Sequence, residues 1–246
     1  MTVALKKMDL GDAACRDVAC CQCAAYELSL CRTTADAGLS TTALDRVVHT
    51  VPARRIVCRS RDLSEVVPIV CDGWAASTIT LSGGGKQILS FILPGDMVST
   101  ALLFEAPSQL VVEAITDVRY RLFNRVQLKA AVFKNPSVFE TLSKAWIEEK
   151  ARSDQLVVGL GRRSADERIA QLILGLKDRL ERRGMVQGGK FDFPLRQHHI
   201  ADAMGLTPVH VSKVLSEFRR SGLIELSERS LSILNLSRLE QIASLR

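Results

Sequence analysis

The stretch LRQHHIADAMGLTPVHVSKVLSEFRRSGLIEL, residues 195–226, decides the fold of this chain. Ile200, Ala201 and Met204 form the apolar side of a short helix that stops at Gly205. Glycine takes up, without steric cost, the left-handed backbone that a tight helix–helix turn needs. Leu206 fits the corner, Thr207 is placed to cap the next helix, and Pro208 stands in its first turn, where a missing N–H is no loss. Val211, Val214, Leu215 and Phe218 then recur at threes and fours as a buried stripe. Val209, His210, Ser212, Lys213 and Glu217 are left off it. A small-residue helix, a glycine turn and a capped second helix together predict a helix-turn-helix. Ser221-Gly222 ends the second helix, and the alternation from Leu223 to Leu236 predicts a small hairpin, or wing. The plain alternative is a helical hairpin with a solvated face.

Upstream, Ser164-Ala165-Asp166-Glu167 is a capping box opening an amphipathic helix through Ile169, Leu172, Ile173, Leu176 and Leu180 to Gly184. Gly184 to Pro194 is a connector containing strand. Before the capping box, Asn135-Pro136 reads as an N-cap and first helical residue. The helix it starts is expected to reach about Val158 and to end at Gly159 or Gly161. Its length suits packing on its own sheet or pairing with a twin. From Val51 to Phe123 short apolar runs alternate with Asp72-Gly73, Gly83-Gly84-Gly85 and Pro94-Gly95-Asp96, which predicts a compact antiparallel barrel or roll.

Charge sharpens the division. Residues 161–246 hold 15 Lys/Arg against 10 Asp/Glu, while residues 1–160 hold 18 against 17. A basic end on a near-neutral body suits contact with phosphates, although a well-solvated domain could carry the same charge. Hydrophobic residues make up 47% and charged residues 24% of the 246, a globular composition. No run approaches the ~18 apolar residues of a membrane span, and Met1 to Gly11 lacks the apolar core of a secretory signal. A cytoplasmic protein with no membrane partner is expected. All seven cysteines fall within the first 71 residues, and Cys15, Cys20, Cys21, Cys23 and Cys31 lie within 17. In a cytosolic chain such clustering points to metal or redox chemistry before disulfides.

The helix-turn-helix resembles that of the cyclic-AMP receptor/fumarate-nitrate reductase regulator (Crp/Fnr) superfamily. So do the hinge Leu160-Gly161-Arg162-Arg163-Ser164-Ala165-Asp166-Glu167-Arg168 and the roll stretches Gly73-Trp74-Ala75 and Leu93-Pro94-Gly95-Asp96. The likeness runs from about Cys20 onward. It implies an α+β chain: a cysteine-rich lead at 1–36, a cyclic-nucleotide-binding-like β-roll sensor at 37–127, a dimerisation helix at 128–161, and a winged helix at 162–246. The implied function is that of a transcription regulator, not an enzyme, binding palindromic double-stranded DNA as a homodimer, with RNA polymerase as a further partner.

By the same resemblance, base reading falls to the start of the second helix, here Thr207, Val209, His210, Ser212 and Lys213. Many members carry glutamate at the position of Val209 and arginine at that of Lys213. Lysine can donate to guanine without arginine's fork, and Val209 can meet a thymine methyl. Arg196 and Gln197 suit backbone phosphates. Arg196 replaces the family's usual Ser/Thr cap, so the first helix is expected to fray at its start.

Two inputs are weighed for the sensor. No Lys or Arg occurs between Lys86 and Arg119, where a nucleotide phosphate would need a cation, so cyclic AMP is not expected to bind. Cys20-x2-Cys23-x7-Cys31 resembles the N-terminal triad of relatives that hold an iron–sulfur cluster. Their fourth, late-barrel cysteine corresponds to a position at or near Arg119, leaving Cys15, Cys21, Cys58 or Cys71 as substitutes. Zinc and unligated thiols stay open beside the cluster. Two further alternatives are a redox or metal enzyme with a DNA-binding tail and a cyclic-nucleotide-responsive regulator. Against the first, no nucleophile–base–orienter set is visible, and three of the four histidines sit in the helix-turn-helix.

Overall fold

The computed structural model describes residues 30–36, 47–59, 65–104 and 109–244. A short helix α1 (Leu30–Asp36) precedes seven strands: β1 (Val48–Val51), β2 (Ile56–Arg59), β3 (Val66–Asp72), β4 (Ala75–Thr80), β5 (Lys86–Ile92), β6 (Val111–Ala114) and β7 (Val118–Asn124). They form two antiparallel sheets, β1-β7-β3 and β2-β6-β4-β5, the expected roll. β3 is buried on both faces because the strand period of two divides it: Val67 and Ile69 join one apolar cluster and Val70 another. At Gly73, φ is +84°, and a Cβ would lie 2.0 Å from the Asp117 carbonyl oxygen, so only glycine fits. That turn buries Trp74, whose N–H donates to Thr116 Oγ1 at 2.9 Å. The triple glycine is the β4–β5 hairpin turn, with the Leu81 N–H donating to the Gly85 carbonyl.

The helical stretch after β7 is two helices. Asn124 caps α2 (Arg125–Lys134), and Asn135 caps α3 (Pro136–Arg162). The long helix passes both glycines expected to end it. Neither has a positive φ, and the Arg163 N–H still donates to the Gly159 carbonyl at 3.2 Å. Tertiary contact holds that last turn, since Arg163 is buried and donates through Nη1 to the Ala243 carbonyl. Phe139, Trp146, Ile147 and Val157 are exposed on α3, and Trp146 stacks on Phe104 at 6.0 Å. Among the described residues, no helix is long and apolar enough to cross a membrane.

The C-terminal part begins with α4 (Ala165–Glu181), whose capping box is formed in both directions: Glu167 N–H to Ser164 Oγ, and Ser164 N–H to Glu167 Oε2. Then follow β8 (Val186–Gln187), β9 (Lys190–Asp192), α5 (Gln197–Met204), α6 (Pro208–Arg220), β10 (Ile224–Leu226), β11 (Ser230–Ile233) and α7 (Leu236–Ala243). The connector strands do more than connect, for the wing sheet runs β10-β11-β9-β8. One apolar cluster unites this part with the roll, joining Trp74, Ile88 and Phe91 to Ile169, Ile200 and Phe218. Roll and winged helix are thus buried against each other.

Candidate nucleic-acid interface

Gly205 takes the left-handed backbone expected of it, φ +62° and ψ +42°, and closes α5. The Thr207 hydroxyl accepts from the His210 N–H at 3.2 Å, fixing the first turn of α6, with Pro208 following. Val211, Val214, Leu215 and Phe218 are buried beneath α6. Thr207, Val209, His210 and Lys213 are exposed, Val209 at 80%, and Ser212 is half-buried. The predicted readers therefore share a rigid helix anchored from below. Arg196 and Gln197 are exposed at the start of α5.

That start is closed, contrary to the expected fraying. Arg196 offers no side-chain cap; instead its backbone N–H donates to His199 Nδ1 at 3.1 Å. The acceptor must be a neutral imidazole. Burial, followed by the charges of His198, Arg196 and Lys86, lowers the His199 pKa to about 4. Arg219 and Arg220 lie in the last turn of α6, where cations complement the helix dipole, and Arg229 is exposed in the wing turn. Sequence reasoning did not single out these three; they share the exposed surface at the end of α6 and in the wing turn.

The hinge braces the helix-turn-helix. Arg168 donates through Nε to the Arg163 carbonyl and through Nη1 to the Met204 carbonyl, both at 2.9 Å, and so ties α4 to the end of α5. A Cβ on Gly205 would come within 3.0 Å of Leu160 Cδ2, so the last turn of α3 touches the helix-turn-helix corner. From the roll, Gln87 Nε2 donates to the Ala203 carbonyl at 3.1 Å.

In the β-roll, the turn Leu93-Pro94-Gly95-Asp96 leads to a 3-10 turn at Thr100–Phe104. Glu149 of α3 accepts from the Thr100 hydroxyl at 2.6 Å, the Thr100 N–H at 3.2 Å and the Ser99 hydroxyl at 3.4 Å. The two cations flanking this segment in sequence are matched elsewhere: Lys86 pairs with Glu113 at 2.7 Å and Arg119 with Asp72 at 2.9 Å. Asp96 itself turns toward α4, pairing with Arg179 at 2.5 Å and Arg183 at 2.6 Å. Burial would raise its pKa; Arg179, Arg183, the Leu93 N–H and Arg152 outweigh that and hold it below the ordinary carboxylate value.

Cys20 and Cys23, like Cys15 and Cys21, lie outside the described residues. Cys31 is buried on α1 in the apolar cluster with Leu128, Val138 and Leu142, whereas Cys58 belongs to the interior cluster of the roll. Among the described residues, no group of three His, Cys, Asp or Glu is placed to hold a metal ion.

Comparison with known proteins agrees with this geometry. Residues 48–135 match the cyclic nucleotide-binding domain, and residues 167–242 the Crp-like helix-turn-helix domain. The chain is 31% identical to the nitrogen fixation regulation protein FixK of Rhizobium meliloti over 204 residues, 81% of this chain and 88% of that one. It is 28% identical to the transcriptional activator protein FnrL of Cereibacter sphaeroides, covering 89% and 90%. The solved structure of FixK2 from Bradyrhizobium japonicum superposes with a TM-score of 0.68 at 26% identity, covering 81% of this chain and 98% of that chain. With both domains in order and relatives that are regulators rather than enzymes, the chain belongs to the Crp/Fnr family of DNA-binding transcription regulators.

Proposed function

We propose that this regulator binds a palindromic duplex site as a homodimer in the cytoplasm, each protomer laying the start of α6 in a major groove. The observation that carries the reading is the exposed set Thr207, Val209, His210 and Lys213 on a helix that is capped at one end and buried beneath. Exposed Phe139, Ile147 and Val157 on α3 offer the apolar surface for a twin helix. Lys213 donates to a base edge, Val209 meets a thymine methyl, and Arg196 and Gln197 hold phosphates. A bound dimer would then present itself to RNA polymerase.

Selection of bound sequences from a random duplex pool is the test. Half-sites about 34 Å apart are expected, and recovery of asymmetric or unspecific sequences would refute the dimeric mode. Lys213→Ala should cost about 1–3 kcal/mol and relax preference at one base position.

For input, Cys20, Cys23 and Cys31 are the proposed ligands of an iron–sulfur cluster that would answer to oxygen or redox state. Arg119 cannot take the late-barrel place, because a guanidinium has no lone pair to give a metal. Anaerobically purified protein should carry iron and sulfide with absorbance that bleaches in air; colourless, metal-free protein refutes the cluster.

A further inference from the structure

Between β5, α3 and α4 lies a cavity of about 450 Å³, reached also by Met204 at the end of α5 and Ala243 of α7. Its size falls within the range of small-molecule sites, roughly 300–1,000 Å³. It is distinct from the Thr100 slot, since neither Ser99, Thr100 nor Glu149 lines it.

Three features of its walls point to one class of ligand. The first is charge. Arg152, Arg168, Arg179 and Arg182 line it against Glu148 and Asp178. Arg168 is committed to backbone carbonyls, Arg182 pairs with Glu148 at 2.6 Å, and Arg152 reaches the same carboxylate only at 3.7 Å. Arg179, its side chain only 8% exposed, shares the carboxylate of Asp96 with Arg183 and donates through Nη2 to the Phe91 carbonyl at 2.8 Å. Yet the Nε atoms of Arg152 and Arg179 are buried and make no hydrogen bond. The buried Arg179 and the buried Nε of Arg152 thus keep donors that the carboxylates beside them do not meet, and such donors favour an anion. The second is apolar surface, supplied by Ile88, Leu89, Leu156, Leu172 and Leu176.

The third is the use of glycine. Gly159 and Gly175 sit inside helices without positive φ, so backbone conformation does not require them, and each lowers helix stability relative to alanine. Both line the cavity, and a Cβ on either would meet nothing within 4 Å. Their missing side chains are part of the empty space.

We propose that this cavity binds a small monoanion with an apolar body, of the medium-chain carboxylate kind. Its carboxylate accepts from Arg152 and Arg179, and its chain lies along the leucines of α3 and α4. Because roll, long helix and DNA-binding part all contribute walls, a bound ligand fixes their arrangement. Its influence on DNA affinity rests on the regulator reading above; its occupancy does not.

Calorimetry on the full chain, without DNA, separates the two. The titrants are decanoate below its micelle-forming concentration, decanol with the same body and no charge, and inorganic phosphate with charge and no body. Saturable decanoate binding is expected, at least about tenfold tighter than decanol or phosphate. Gly175→Leu, which fills the space, should abolish it, and Arg152→Gln should weaken it about tenfold. Absence of saturable decanoate binding, equal binding of decanol or phosphate, or indifference to Gly175→Leu overturns the proposal. Should Gly175→Leu fail to fold, the Arg152→Gln titration decides: unchanged affinity overturns the site.

Discussion

The Thr100 slot and the α3–α4 cavity both present donors to an anion, and the chain treats them oppositely. At the slot, a hydroxyl and an amide are met by Glu149 of the same chain. In the cavity, permanent guanidinium charges outnumber the carboxylates among them, and Asp96 offsets only part. Neutral donors can be satisfied by one side chain that swings in. Surplus cations cannot, and the buried Arg179 adds a desolvation cost of its own. At the slot the donors are thus met within the chain, while where the roll meets α4 arginines outnumber carboxylates.

The largest effect should come from taking away the carboxylate that Arg179 shares with Arg183. Asp96→Asn leaves Arg179 and Arg183 buried without an ionised partner and is expected to destabilise the protein by about 3–5 kcal/mol, read from urea unfolding. Acid should act in the same sense. With its pKa held below the ordinary value, Asp96 contributes stability above the unfolded carboxylate pKa, and this is lost as pH falls through the lower folded one.

Next, Glu149→Ala strips the slot of its acceptor and should cost about 1–3 kcal/mol by leaving the Thr100 donors unmet. Calorimetry of this variant with cyclic AMP should remain flat, because Lys86 and Arg119 keep their partners Glu113 and Asp72. Measurable nucleotide uptake would mean that Glu149 alone was keeping the slot closed.

A third, milder effect separates the DNA-binding end from the cavity. His199 is neutral in the folded protein down to about pH 4, whereas an unfolded histidine takes up its proton near 6.5. Its contribution is present above pH 6.5 and is lost as pH falls from there toward 4, before Asp96 titrates. Burial lowers the pKa of His49 as well, so a stability–pH profile should decline in two stages, and His199→Asn should make the upper one shallower. The smallest effect should be a gain: Gly175→Ala is expected to stabilise α4 by about 0.5–1 kcal/mol, because its methyl enters open space. A loss instead would mean that the space is needed empty even without ligand.

What could be read from sequence is whatever was encoded locally. Gly205, Thr207 and Pro208 act on their own turn, and Ser164 and Glu167 cap each other across three residues. The roll was legible through its glycine turns, and the exposed face of α6 through its apolar stripe. What escaped depends on distant partners. Nothing near Asp96 announces Arg179 and Arg183, 83 and 87 residues away. Gly159 and Gly161 promised a helix end, but the buried Arg163 carries α3 past them. His199 closes a helix start that Arg196 was expected to leave open, a role that needs a neutral ring and hence burial. The final helix, α7, is set by Asn235, whose side chain accepts from the Arg238 N–H after the wing returns.

The chain's two tryptophans are divided in a way that makes the molecule its own optical instrument. Trp74 is sealed in the cluster that joins the roll to the winged helix, while Trp146 stands 56% exposed on the long helix against Phe104. Emission from the first belongs to a dry environment and reports whether the two parts stay docked. Emission from the second starts wet and shifts to the blue when another surface covers α3. With Trp74→Phe and Trp146→Phe as single-colour references, docking within a chain and pairing between chains become separately visible in one cuvette, without any attached dye.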